Sequence, residues 1–131
     1  MPLYGHELNR DTFPVQAGLG RVVALAKEGD FVGRAAIEAG PPTDAPVLVG
    51  LAAEGRRAAR ADYEVYDGEG ADAARVGVVT SGALSPTLGH PVAMAFISPE
   101  AAEPGRELYV DVRGTRVPAS VVPLPFYKRP A

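Results

Sequence analysis

The chain has 131 residues, 47% of them apolar, with 13 Lys and Arg against 16 Asp and Glu for a net charge of -3. That length and apolar content support one ordinary domain with a real core and exclude a chain disordered throughout. The slight negative charge excludes a general binder of nucleic acid or anionic membrane surface, and the absence of cysteine excludes disulfides, thiolate metal sites and a cysteine nucleophile.

The first ten residues, MPLYGHELNR, lack the basic-then-apolar order of a signal peptide, and no apolar run approaches the ~20 residues needed to cross a bilayer. A soluble, cytoplasmic protein is the expectation. A short apolar element, strand or helix, is predicted around Val22 to Ala26, followed by a turn at Gly29 and a helix from Val32 to Ala39. Asp30 is suited to cap that helix, and Gly40, Pro41 and Pro42 to end it. The prolines of GPPTDAP mark a linker, which places a boundary between residues 1–42 and 43–131.

Beyond Pro46 the punctuation changes. VLVGLAAE, YEVYD, RVGVVTSG, VAMAFIS, ELYVDVRG and TRVPASVVPLPF are β-prone runs separated by Gly, Pro and Asp turns. YEVYD and ELYVDVRG alternate with the period of two of half-buried strands, whereas VAMAFI is continuously apolar and is predicted to be buried on both faces. VRGTR reads as a hairpin turning through Gly114 and Thr115, and GEGADAARVG as a solvated hairpin tip. Six such runs in about 85 residues predict a mainly β fold, a small antiparallel barrel or sandwich.

Few residues offer chemistry. Ser81 stands in TSGA rather than in G-x-S-x-G, and neither His6 nor His90 is tied to it by spacing. Two isolated histidines make no metal-ligand set, and GLGRVV is too poor in glycine for a dinucleotide fingerprint. Arg56, Arg57 and Arg60 follow a predicted strand, where they serve either as a bidentate clamp for a carboxylate or as cations that protect a sheet edge. In TSGALSPTLGH, Gly82 is expected to supply a positive φ, with Ser85 and Thr87 satisfying backbone groups around Pro86. Tyr127 suits either packing or stacking.

The order of PLYGHEL, DFVGRAA, LVGL, GRRAARADYEV, GVVTSGALSPTLGHPVAMAFI and PFY resembles the C-terminal part of the glycine cleavage system T-protein, an aminomethyltransferase, over essentially the entire chain. The resemblance implies a small Greek-key-like antiparallel β-barrel over 43–131, preceded by a short α/β segment, 1–42, that ends a truncated folate-binding domain. It implies tetrahydrofolate as cofactor, and the lipoylated H-protein as the donor of the aminomethyl group whose one-carbon unit passes to folate with release of ammonia. Arg60 matches the family arginine that approaches the acidic tail of folate, and Lys27 and Tyr127 fall near a basic and an aromatic position of the same site. The family's essential aspartate and a pteridine-side glutamate precede the LYG motif and lie outside this chain, so the expectation is a C-terminal fragment that is inactive alone and prone to pair as a homodimer. The competing readings are a stand-alone, non-catalytic barrel acting as an interaction module, and the C-terminal part of a folate-linked demethylase or of a sarcosine or dimethylglycine dehydrogenase.

Overall fold

Runs of alternating burial close on themselves in the computed structural model, which describes residues 1–131. The strands are β1 (Val47–Ala53), β2 (Glu64–Tyr66), β3 (Arg75–Leu84), β4 (Pro91–Ile97), β5 (Glu107–Val112) and β6 (Thr115–Val122). They form a closed barrel in the order β1-β4-β3-β2-β5-β6, each neighbouring pair antiparallel. Closure leaves every strand paired on both sides, so no sheet edge remains to be protected.

The interior is built from small and branched residues that fit a narrow lumen. Leu51, Val65, Val79, Ala95, Ile97, Leu108, Val110 and Val121 are buried there, with Ala93 and Ala119 filling the tighter levels. In β5 the inward residues Leu108, Val110 and Val112 alternate with Glu107, Tyr109 and Asp111, as the period of two requires. β4 departs from its expected burial on both faces: Ala93, Ala95 and Ile97 point inward, while Val92, Met94 and Phe96 are half-buried on the outside. Its outer face is apolar because residues before the barrel lie across it: Met94 shares a groove with Ala17 and Leu19, and Phe96 lines a concavity with Phe13 and Gln16.

The segment 1–42 adds no strand to the barrel. It contains a 3₁₀ turn, Gly20–Val22, and one short helix, α1, Arg34–Ala39, which starts two residues later than predicted. Asp30 does not cap this helix; its carboxylate accepts from the adjacent Phe31 amide, and Gly33 stands at the N-cap. The organiser is Arg34, which donates to the carbonyls of Leu25, Lys27 and Gly29, pairs with Glu38 at 2.9 Å and lies over the Phe31 ring. Gln16 fastens the segment to the barrel: its side chain accepts from Phe13 N and donates to Pro46 O, each at 2.9 Å, and its carbonyl accepts from Leu48 N at 2.8 Å.

Two local expectations shift by a few residues. The β5–β6 hairpin turns through Arg113 and Gly114, with φ of 54° and 86°, rather than through Gly114 and Thr115. A two-residue turn of this hand needs positive φ at both central positions, which β-branched Thr115 resists. Likewise Thr80 to Leu84 continue strand β3, so the corner of TSGALSPTLGH is confined to Ser85–His90, where Gly89 and not Gly82 takes the positive φ. The Ser85 hydroxyl accepts from Leu88 N at 3.2 Å as expected, whereas Thr87 makes no side-chain hydrogen bond.

Candidate anion site at the barrel mouth

Because all pairs are antiparallel, the ends of β1, β3 and β5 and the starts of β2, β4 and β6 gather at one mouth of the barrel. The chain must cross this mouth to pass from β1 to β2, which are not neighbours, and it does so through residues 54–63. The crossover is pinned to β3. Asp62 N donates to Val79 O at 2.9 Å, Val79 N to Tyr63 O at 2.8 Å, and Arg60 Nη1 to Gly82 O at 3.0 Å. Gly82 is a glycine because of this approach: a Cβ there would sit 2.4 Å from the Ala59 carbonyl oxygen. The GRRAAR and TSG stretches, well separated in sequence, are therefore parts of one construction.

The crossover and the β5–β6 turn together enclose a concavity of about 490 Å³ lined by Arg57, Ala58, Arg60, Tyr63, Val112, Arg113 and Thr115. Three guanidiniums and no carboxylate face it. The protein's ion pairs use Arg34, Arg75 and Arg116, so Arg57, Arg60 and Arg113 have no acidic partner. Asp111, the acid of the turn, is engaged elsewhere: it accepts from Gly114 N at 2.7 Å and faces Arg116 Nε at 3.7 Å, while Arg116 stacks on Tyr66. Arg60 spends one of its five N–H donors on Gly82 and keeps the rest of its fork for a ligand. The edge-protecting explanation of these arginines lapses with the closed barrel, and what remains is a cluster of three guanidiniums, a residue type suited to pair with a carboxylate.

A second cluster joins the N-terminal segment to the same strand. Glu7 is wholly buried, and its carboxylate accepts from Leu3 N at 2.9 Å and from the Ser81 hydroxyl at 2.7 Å. Burial raises the pKa of Glu7, but hydrogen bonding from the Thr80 hydroxyl, the Leu3 amide and Ser81, with the nearby His6, outweighs it and holds the carboxyl below its ordinary value. The Thr80 hydroxyl has one proton and also lies 3.0 Å from Met94 O, so it serves whichever acceptor it turns toward. Neither Glu7 nor Arg113 stands out in the sequence. The signal for Glu7 is a carboxylate inside the apolar-aromatic LYGHEL, and for Arg113 a cation at a turn position that demands positive φ.

Of the three residues that the resemblance ties to the cofactor, Arg60, Lys27 and Tyr127, only Arg60 lines the concavity; of the GRRAAR arginines, Arg57 joins it there and Arg56 does not. Lys27 is exposed, and its backbone carbonyl is held by Arg34. Tyr127 is exposed and follows Phe126, which closes a separate apolar groove with Leu48, Gly50 and Leu124. The structure brings neither side chain into the arginine concavity.

The sequence profile described as the glycine cleavage T-protein C-terminal barrel domain matches residues 47–128. The chain is 60% identical to the aminomethyltransferase of Cutibacterium acnes over 98% of its own length and 34% of the relative's. It is 56% identical to that of Saccharopolyspora erythraea over 100% of its length and 35% of the relative's. A crystal structure of glycine cleavage system aminomethyltransferase T from Bartonella henselae superposes with a TM-score of 0.84 at 30% identity, covering 97% of this chain and 35% of that one. The chain thus spans about a third of the length of the curated relatives it matches.

Proposed function

Because the chain belongs to the glycine cleavage T-protein family and carries its C-terminal barrel, we propose that it supplies the folate-tail side of a tetrahydrofolate-dependent aminomethyltransferase. In the complete enzyme the aminomethyl group arrives on the lipoyl arm of the H-protein and ammonia leaves. Tetrahydrofolate, when bound, supplies the nitrogens that accept the one-carbon unit. What this chain contributes is orientation: Arg60 neutralises a carboxylate of the folate tail, and its hold on Gly82 fixes the guanidinium before the ligand arrives. Lys27 adds a second cation and Tyr127 an aromatic face from outside the concavity.

The observation that carries this reading is the acid-free arginine concavity at the mouth of a closed barrel. A second supports the division at residue 42. Seven of the ten exposed large apolar side chains, Met1, Leu3, Tyr4, Val15, Val22, Leu25 and Val32, fall in the first 32 residues, which suits the end of a folate-binding domain packing on the rest of such an enzyme. On this reading the chain contributes orientation and no catalytic group, and by itself it is inactive. The test is kinetic. In a full-length aminomethyltransferase with this C-terminal part, Arg60→Ala raises KM for tetrahydrofolate with a smaller effect on kcat; an unchanged KM refutes the assignment.

A further inference from the structure

Strand β3 departs from regular pairing at one residue. Val79 stands opposite Ala95 and Ser81 opposite Met94, so Thr80 is an extra residue, a β-bulge. In a regular strand Val79 and Ser81 would face the barrel interior together, and Gly82 would face out. The extra residue reverses this: Ser81 lies outward beside Met94, and Gly82 lies inward beside Ala93, against the Ala59 carbonyl. Four successive residues are thereby held by three parts of the chain. Val79 is bonded to Asp62 and Tyr63 of the crossover, Thr80 to Met94 of β4, Ser81 to Glu7 of the N-terminal segment at 2.7 Å, and Gly82 to Arg60 at 3.0 Å. Glu7 is wholly buried, and its carboxyl, held below its ordinary value, is ionised at neutral pH and accepts from Leu3 N as well as from Ser81. An apolar contact would join segment and strand without burying a charge; the carboxylate adds direction, because it fixes where the Ser81 hydroxyl points.

We propose that Glu7 is a positioning residue for Arg60: by holding Ser81 against the N-terminal segment it fixes the bulge, and through the bulge the Gly82 carbonyl on which the Arg60 guanidinium is set. The seat of segment 1–42 on the outside of β3 and the aim of an arginine at the barrel mouth are thus coupled across the two faces of one strand. Its bearing on folate rests on the placement of the tail at Arg60, while the coupling itself does not.

The first test needs no ligand. Native-state amide exchange is followed in the 131-residue chain, with Ser81→Ala and Glu7→Gln beside the parent. The amides of Asp62 and Val79, which bond the crossover to the strand, are expected to exchange about tenfold faster in either variant, in excess of any change in the β5–β6 ladder. A general loss of stability moves both regions alike, and that result, or unchanged exchange at Asp62 and Val79, overturns the proposal. Ser81→Ala removes a single hydroxyl and carries the test if Glu7→Gln does not fold. The second test is kinetic. In a full-length aminomethyltransferase with this C-terminal part, Glu7→Gln is expected to raise KM for tetrahydrofolate about threefold, with a smaller effect on kcat, and to add nothing further to Arg60→Ala; additive effects of the two substitutions would deny the link. An unchanged KM in Arg60→Ala would remove folate from this mouth and leave the coupling to be judged by amide exchange.

Discussion

Replacing Gly82 with alanine places a methyl group 2.4 Å from the Ala59 carbonyl oxygen and 3.0 Å from its carbon. Both are backbone atoms of a crossover held to β3 at Val79 on one side, so neither can swing away as a side chain would. Alanine gains about 0.5–1 kcal/mol over glycine in a strand through the unfolded chain's lower entropy. Against this stand an overpacking cost of about 1–3 kcal/mol and the Arg60 hydrogen bond to Gly82 O, which at an exposed position falls at the low end of the ~1.5–3 kcal/mol of a bond with a charged group. The clash prevails, and a net destabilisation of about 2–3 kcal/mol is expected, or roughly 6–15 °C in Tm for a chain of this size. The assay is urea unfolding at constant m, with Gly89→Ala as the comparison. Gly89 has φ 77° and nothing within 4 Å of a built Cβ, so it reports backbone strain alone, about 1 kcal/mol. A Gly82→Ala protein as stable as its parent, or less affected than Gly89→Ala, would refute the account of how crossover and strand are joined.

Two further outcomes are expected. Glu7→Gln destabilises the chain by about 1–3 kcal/mol near neutral pH, since a carboxamide cannot accept on both sides from Leu3 N and Ser81. The folded-state carboxyl lies below its ordinary value of 4.5, so its stabilisation is full above that pH and is lost as pH falls through the lowered folded value. Urea midpoints of parent and variant should therefore converge on acidification; a gap that stays constant would contradict the hydrogen-bonded carboxylate. The exposed apolar face of the first 32 residues should pair two copies of the isolated chain, with Val22→Lys/Val32→Lys shifting sedimentation toward monomer. A monomeric parent at high concentration would contradict this.

The barrel was legible because its information is local. The period of two in ELYVDV and the Gly and Asp turns between short runs determine strands without reference to the rest of the chain. β4 misled because its outer face is apolar for a non-local reason, the cover provided by Ala17, Leu19 and Phe13. The hairpin slipped by one residue because Arg113 is a poor advertisement for positive φ, and only the Asp111 contact to Gly114 N shows how the turn is held. Segment 1–42 is the least legible part, since its shape depends on Arg34 reaching three carbonyls and on Gln16 reaching Pro46, contacts that leave no periodic trace. For the site, the resemblance singled out Arg60, but the arginine concavity exists only because the topology carries the crossover and the β5–β6 turn to one mouth. Gly82 shows the same limit: its importance was readable, while its reason is a close approach to Ala59 rather than a positive φ.

The central claim is that this mouth of the barrel takes a folate tail, and the most direct measurement is a titration of the chain with p-aminobenzoyl-glutamate, the tail without its pteridine. The account predicts saturable, selective shifts of the Arg60 Nε–H resonance and of its neighbours Arg57 and Arg113, with the shifts of those two neighbours weakened in Arg60→Ala, while the Arg34 and Arg75 resonances stay fixed. Absence of any Arg60 response at millimolar ligand, or equal shifts across all arginines, would contradict it.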